Sequence, residues 1–142
     1  MRFAPVFVAG TFLSIHFGTI LYVHSSFLGK FFGPDTVSLL FLIGAVGNII
    51  LFLLVPQLIE RFGKRWLLLF FLLTALLSTF GLSIAEATSL VLVSFIVYES
   101  VLFMIYYCLD IFLEELSIDS HTGEIRGLYL TFVSLGTALG PL

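Results

Sequence analysis

Charged residues are scarce in this sequence. Six lysines or arginines and nine aspartates or glutamates make up 11% of its 142 residues, whereas a soluble domain carries about a quarter charged residues. Hydrophobic residues make up 60% of the chain, and the mean hydropathy is +1.19. So few charges could not cover the surface of a fold in water. The composition therefore predicts an integral membrane protein whose apolar segments contact the lipid bilayer.

Other absences exclude several kinds of site. The single cysteine, Cys108, lies within an apolar run, so we expect neither an internal disulfide nor a zinc site built from paired cysteines. The net charge is −3 and the sequence has no basic face, so no nucleic-acid partner is expected. No Ser-His-Asp set, phosphate-binding loop or metal-ligand spacing occurs, so the sequence predicts no enzyme, no cofactor and no metal site.

Four apolar stretches are long enough to cross a bilayer as helices. Each has at least about 20 residues, which at about 1.5 Å per residue matches a hydrocarbon core about 30 Å thick. They cover residues 3–28, 36–59, 66–85 and 87–109, and a fifth, shorter stretch covers residues 127–142. The runs are continuous rather than alternating, so we expect an all-α, polytopic helix bundle that stops within its fifth helix.

The cations are distributed unequally between the two predicted faces of the membrane. Lys30 alone lies on one side, and the other five lie opposite: Arg2, Arg61, Lys64, Arg65 and Arg126. Because cytoplasmic loops are enriched in Lys and Arg, this count predicts a multi-pass protein with a cytoplasmic N-terminus. Residues 60–65 and 110–126 are then cytoplasmic, and the plasma (inner) membrane is the expected location.

The segment PQLIERFGKRWLL, residues 56–68, contains the densest charge of the chain. It resembles the signature between helices 2 and 3 of the major facilitator superfamily, Gly-x-Leu-x-Asp-Arg-x-Gly-Arg/Lys-Arg/Lys. The matching residues are Leu58, Glu60, Arg61, Gly63, Lys64 and Arg65, with Glu60 standing for the aspartate. Pro56 replaces the first glycine of the motif. A tight turn between antiparallel helices also favours a positive φ at Gly63.

A second segment, GLYLTFVSLGTALGP, is similar to the helix-5 pattern of antiporters in the same superfamily, Gly-x8-Gly-x3-Gly-Pro. The matching residues are Gly127, Gly136, Gly140 and Pro141. Small residues four apart let helix backbones approach, and Gly-Pro permits a bend. The two resemblances imply helices 1–5 of a twelve-helix carrier, that is, a partial N-terminal lobe. Its partners would be a small-molecule substrate and the remaining C-terminal helices of the same protein.

Polar residues lie near the centres of three predicted helices, at His16, Asn48 and Glu99. Ionisable groups at this depth are costly and usually mark a pathway. Glu99 shares a helix face with Tyr106 and Asp110, seven and eleven residues later, at about 100° per residue. We therefore predict that His16, Asn48, Glu99 and Tyr106 line a route for substrate or protons. Drug–proton antiporters of the superfamily usually carry an arginine in helix 4; this helix has none and has Glu99 instead.

Each of these residues also has a structural interpretation that stays open. Glu99 or His16 could form an interhelical hydrogen bond without taking part in transport, and Asn48 could belong to a packing seam with Gly44 and Gly47. The superfamily's lobes are built from inverted three-helix repeats with sites near the membrane midplane. In that arrangement helices 1 and 4 are equivalent, which implies that His16 and Glu99 face a common cavity.

We also expect a network of charges on the cytoplasmic face. Lys64 and Arg65 begin helix 3, and three acidic residues follow helix 4: Asp110, Glu114 and Glu115. Both groups lie at the end of a helix where the dipole disfavours their charge. Contact between residues 60–65 and residues 110–115 would relieve both mismatches, so we predict that the two segments pair and act as a gate.

The function that the sequence favours is transport of a small solute by a secondary carrier of the major facilitator superfamily. Proton coupling through Glu99 and His16 is the accompanying hypothesis. The alternative is a complete membrane protein of four to five helices with an assembly or interaction role. The reading frame beyond Leu142 would separate the two, because a carrier requires further helices.

Overall fold

The computed structural model describes residues 3–117 and 122–142, so the predicted cytoplasmic cation Arg2 lies outside the described residues. Within these two ranges the chain forms five α-helices and no β-strand. They are α1 (Ala4–Leu28), α2 (Pro34–Phe62), α3 (Lys64–Ser83), α4 (Thr88–Leu116) and α5 (Thr122–Leu139). The predicted all-α helix bundle is confirmed.

Four of the described helices, α1 to α4, are long and apolar enough to cross a membrane, judged by length and composition. A helix satisfies its backbone hydrogen bonds internally, which lipid cannot do for an irregular segment. Large apolar side chains project from these helices, including Phe12, Leu53 and Trp66, which are 70%, 71% and 73% exposed. So much exposed apolar surface is unfavourable in water and matches a chain surrounded by lipid.

The start of α2 follows from three residues in a row. Gly33 has an extended backbone with φ −71°, and Pro34 occupies the first turn, where a missing N–H costs no hydrogen bond. Asp35 places a negative charge at the positive end of the helix dipole. Pro56, which stands at the first glycine of the motif, lies inside α2, and the helix continues beyond it to Phe62.

A single residue, Gly63, connects α2 to α3. Its φ of 78° and ψ of 147° lie in a region that is almost restricted to glycine. Its N–H donates to the carbonyl of Ile59 at 2.8 Å, and its own carbonyl accepts from Leu67 at 3.1 Å. The predicted positive φ is confirmed. The connection is shorter than the six residues expected, because the charged residues on both sides of Gly63 are good helix formers and extend the helices.

α4 ends at Leu116 rather than near residue 109. Its acidic residues, Asp110, Glu114 and Glu115, end the apolar run but not the helix, because hydropathy marks the lipid-spanning part and carboxylates are tolerated in helices. For the same reason α5 begins at Thr122, before its apolar run. It ends at Leu139, directly before Gly140 and Pro141, a pair typical of helix ends.

The chain forms two compact units. One contains the chain up to Phe27 together with Leu109–Leu142, and the other contains Leu28–Cys108. The first unit therefore holds α1, α5 and the last part of α4. The second holds α2, α3 and the larger part of α4.

α4 is the most buried of the four spanning helices. In its apolar segment 44% of the residues are buried, against 22%, 17% and 28% in α1, α2 and α3. Within the unit Leu28–Cys108, its almost fully buried apolar residues are Val91, Phe95, Tyr98, Leu102, Met104, Ile105 and Cys108. The predicted pathway residue Glu99 therefore lies on the helix that provides more buried residues than any other described helix.

Gly63→Ala should lower the free energy of unfolding by about 1–3 kcal/mol, because alanine would be held in a backbone region that L residues avoid. Gly33→Ala is the matched control, since Gly33 has a negative φ and nothing lies within 4 Å of where its Cβ would be. The control should lose less than about 1 kcal/mol, because alanine at the N-cap of α2 is only a poorer capping residue than glycine. Denaturant unfolding in detergent measures both variants. Equal stability of the two would contradict the constraint at Gly63.

Candidate substrate and proton pathway

Glu99 lies where α2 packs against α4, within the unit Leu28–Cys108. A Cβ atom placed on Gly44 would lie only 2.5 Å from the Cβ of Glu99, too close for two carbon atoms. Glycine at position 44 therefore lets the backbone of α2 lie directly over the base of the Glu99 side chain. The glutamate is half-buried in this position.

Asn48 joins the same two helices by a hydrogen bond. Its Nδ2 donates to the backbone carbonyl of Ser100, 3.1 Å away. A Cβ on Gly47 would collide with the Ser100 hydroxyl, which donates to the carbonyl of Ile96 at 2.7 Å. Asn48, Gly47 and Ser100 thus form an interhelical seam directly beside Glu99. These contacts agree with the interpretation of Asn48 as a packing residue. Because Asn48 bonds to the backbone of the residue that follows Glu99, it can also position Glu99.

Aromatic pairs flank Glu99 along the same seam. The rings of Phe41 and Phe95 lie 4.9 Å apart at 80°, and those of Phe52 and Tyr107 lie 4.9 Å apart at 61°. Such edge-to-face pairs contribute about 0.5–1.5 kcal/mol each beyond their burial. The first pair precedes Glu99 along α4 and the second follows it, so the base of the Glu99 side chain lies between two aromatic contacts on the α2–α4 seam.

Tyr106 and Asp110 follow Glu99 on α4. One uninterrupted helix carries all three residues, as their spacing requires. Tyr106 is half-buried, and its ring centroid lies 6.4 Å from that of Phe103. Asp110 belongs to the other compact unit. A route for substrate or protons past Glu99 and Tyr106 stays a prediction.

α1 and α5 pack through small residues, within the unit that contains both helices. A Cβ on Gly140 would lie 2.5 Å from the backbone nitrogen of Thr19, and one on Gly136 would collide with the hydroxyl of Ser14. The hydroxyl of Thr19 donates to the carbonyl of Gly140 at 2.9 Å. Two glycines of the predicted helix-5 motif therefore form a contact surface for α1.

Sequence reasoning missed the complementary pattern on α1. Gly10, Ser14 and Gly18 are four residues apart and form one stripe along the helix. A Cβ on Gly18 would collide with the carbonyl of Thr137, and one on Gly10 would lie 2.5 Å from the ring of Tyr129. This spacing of small residues is the signal from which the partner of α5 could have been predicted.

His16 lies on the side of α1 opposite to the small-residue stripe. It is two residues from Ser14 and two from Gly18, which corresponds to about 200° around the helix axis. Its side chain is half-buried. Because Glu99 belongs to the other compact unit, a common cavity for His16 and Glu99 stays a prediction.

The cations of the first motif concentrate at the connection between α2 and α3. Arg61 lies in the last turn of α2, and Lys64 and Arg65 begin α3 on the other side of Gly63. The Cζ atom of Arg61 lies 5.4 Å from the centroid of the Phe62 ring, within the range of a cation–π contact. One end of the α2–α3 hairpin therefore carries a dense positive charge.

Arg126 pairs with two of the acidic residues that were predicted to partner residues 60–65. Its Nε donates to Asp110 Oδ1 at 3.0 Å and its Nη2 donates to Asp110 Oδ2, so this pair is bidentate. Nη2 also lies 3.9 Å from Glu114 Oε2. The hydrogen bonds and the charge of Asp110 raise the pKa of Arg126. These contacts join α4 to the start of α5, and pairing of residues 110–115 with residues 60–65 stays a prediction.

Metal-ligand clusters are not found in residues 3–117 and 122–142. Those ranges contain no group of three or more His, Cys, Asp or Glu side chains that could hold an ion. Cys108 is buried on α4. The residues predicted to line a pathway are polar or ionisable side chains on α1, α2 and α4, and their role stays a prediction.

The sequence profile of the Major Facilitator Superfamily matches residues 1–141. The chain therefore belongs to this superfamily of membrane transporters, so the predicted membership is confirmed. The roles of the two motifs, in residues 56–68 and 127–141, stay predictions. The four spanning helices are those of a multi-pass membrane protein, as the superfamily requires. No curated protein and no solved structure gives a significant match.

Gly136→Ala and Gly140→Ala should each destabilise the packing of α1 against α5, because the added methyl group collides with side-chain or backbone atoms of α1. We expect a loss of about 1–3 kcal/mol, the usual cost of overpacking. Gly127→Ala is the control from the same motif, since nothing lies within 4 Å of its Cβ position. It should be neutral or stabilising by about 0.5–1 kcal/mol, because alanine favours a helix. Thermal unfolding in detergent measures the three variants, and equal effects would contradict the assigned seam.

Proposed function

We propose that the chain provides the first five helices of a secondary carrier that moves a small solute by alternating access, coupled to protons. The central support is the position of Glu99, an ionisable residue midway along the most buried spanning helix of a superfamily member. A carboxyl group is costly at that depth and usually belongs to a transport pathway. Family membership favours this function over an assembly or interaction role.

Glu99 is the proposed proton-binding group. It lies on the α2–α4 seam, where Gly44 leaves room for it and the Asn48–Ser100 hydrogen bond fixes the neighbouring backbone. Asn48 is therefore a positioning residue in this proposal. His16, at the middle of α1 and on the side away from α5, is the proposed partner across a central cavity. Tyr106 would continue the polar route along α4.

The gate that we propose joins residues 60–65 to residues 110–115. It is supported by the concentration of cations beside Gly63 and by the carboxylates at the end of α4. Arg126 already contacts Asp110 and Glu114, and this pair is part-exposed. An exposed pair contributes only about 0–1 kcal/mol. The carboxylates could therefore exchange Arg126 for the cations of residues 60–65 at little cost when the carrier changes state.

We further propose a plasma (inner) membrane location with the N-terminus and the α2–α3 connection in the cytoplasm. The support is the excess of cations on that side, with Lys30 alone on the other. Gly33 and Gly123 lie on opposite faces in this arrangement. Nothing lies within 4 Å of a Cβ at either position, so both accept a cysteine.

Labelling of single cysteines tests this orientation. In a Cys108→Ala background, Gly33→Cys should react with a membrane-impermeant maleimide in intact cells. Gly123→Cys should react only after the membrane is opened. The physical reason is that the reagent reaches only the outer face of a sealed cell. The reverse pattern would contradict the proposed topology.

Glu99→Gln tests proton coupling, because glutamine keeps the size and hydrogen-bonding ability of the side chain but cannot ionise. Wild-type carrier in vesicles that contain a pH-sensitive dye should show proton flux when a transported solute is added from a panel of small molecules. Glu99→Gln should reduce this solute-dependent flux to the level of protein-free vesicles. Its elution as a monodisperse species on size-exclusion chromatography should match that of the wild type.

Glu86→Gln is the matched control, because Glu86 is exposed in the turn between α3 and α4. It removes the same charge outside the seam and should leave the flux unchanged. Undiminished, pH-dependent transport by Glu99→Gln would contradict the assignment of Glu99 as the proton-binding group. Equal losses in both variants would indicate a general effect of charge rather than a site at Glu99.

A further inference from the structure

A groove opens between α2 and α3 beside Gly63. Its volume is about 670 Å³, and it is lined by Leu58, Arg61, Phe62, Trp66, Leu67 and Phe70. We refer to these six residues as the aromatic groove. They all belong to the unit Leu28–Cys108, with three residues from each helix. The volume lies within the range of about 300–1,000 Å³ that is usual for small-molecule sites.

The walls of the aromatic groove are apolar and exposed. Phe62, Trp66 and Phe70 are 54%, 73% and 60% exposed. Trp66 lies within the first turn of α3, so it is close to one end of a spanning helix. Aromatic residues near the ends of spanning helices are enriched where lipid headgroups meet the acyl chains. The groove is therefore expected at this depth of the bilayer.

The groove is positively charged at one end only. Arg61 is its one ionisable lining residue, and Lys64 and Arg65 follow directly across Gly63. Residues 60–65 hold three cations and one anion, Glu60, which gives a net charge of +2. The two cations that begin α3 also lie at the positive end of its dipole. An anion beside them would therefore be stabilised both by their charges and by the helix dipole.

We propose that the aromatic groove binds one anionic phospholipid. Its phosphate would lie near Arg61 and Arg65, and an acyl chain would lie along Trp66 and Phe70. An apolar groove with cations at one end is complementary to an amphiphile with an anionic head. A free phosphate would leave the aromatic walls uncovered, and an apolar helix of a partner protein would gain nothing from the cations. The lipid site does not depend on proton coupling at Glu99.

Lipid binding in the groove can be measured by the fluorescence of Trp66, because it is the only tryptophan of the chain. The protein is placed in phosphatidylcholine vesicles that contain a small fraction of phosphatidylglycerol brominated on its acyl chains. Matched vesicles contain the same fraction of brominated phosphatidylcholine. Bromine quenches tryptophan fluorescence on contact, and subtraction of the Trp66→Phe signal isolates the groove. Brominated phosphatidylglycerol should quench Trp66 at a lower fraction than brominated phosphatidylcholine.

Arg61→Gln and Arg65→Gln test the role of charge. A cation near an anionic membrane surface contributes about fivefold in apparent affinity, so each variant should raise the half-quenching fraction of phosphatidylglycerol by about fivefold. Arg65 lies outside the lining of the groove and is exposed, so its replacement leaves the apolar walls intact. Lys30→Gln removes a cation outside residues 60–65 and should leave the half-quenching fraction unchanged.

Three results would overturn the proposal. Equal quenching by the two brominated lipids would mean ordinary boundary lipid without selection for charge. No quenching by either lipid would mean that protein, such as a further helix or a second copy of the chain, covers Trp66. Relief of quenching by inorganic phosphate at constant ionic strength would mean that the cations bind a free anion rather than a lipid headgroup.

Discussion

Close approach of helix backbones at glycine is the constraint on which both compact units depend. α2 reaches Glu99 and Ser100 because Gly44 and Gly47 carry no side chains. α5 reaches α1 in the same way at Gly136 and Gly140. Lipid is as apolar as the helices, so burial of leucine or phenylalanine gives little driving force for association between spanning helices. Close packing and the hydrogen bonds that it permits must hold them together instead.

The hydrogen bonds on the two seams follow one principle. Asn48 donates to the carbonyl of Ser100, and Thr19 donates to the carbonyl of Gly140. In each case a side chain reaches the backbone of the facing helix at a point where a glycine has brought the helices together. Backbone carbonyls are acceptors that no side-chain substitution removes, so each bond depends on its donor side chain and on the close approach of the two helices.

The class of fold could be predicted from the sequence because continuous apolar runs of bilayer length leave few alternatives to helices. The positive φ of Gly63 was also predictable, since a turn this tight permits few other residues. The ends of α4 and α5 were not, because Asp110 and Glu124 interrupt hydropathy without interrupting helical hydrogen bonds. The contact between Arg126 and Asp110 was missed for the same reason: residues 110–126 were predicted to lie between helices 4 and 5 rather than within them. Contacts between helices, such as the one between Asn48 and Ser100, could not be predicted. They depend on which helices are neighbours, and the residue pattern within one helix does not contain that information.

The one-residue connection at Gly63 has a consequence for how the two helices lie in the membrane. One residue spans at most about 3.6 Å, a small fraction of a hydrocarbon core about 30 Å thick. The last residue of α2 and the first residue of α3 must therefore lie at the same face of the bilayer, in whatever order the two helices enter it. Any change in the insertion depth of α2 must therefore move the start of α3 with it, so the depth of the groove between these helices is set through the same glycine.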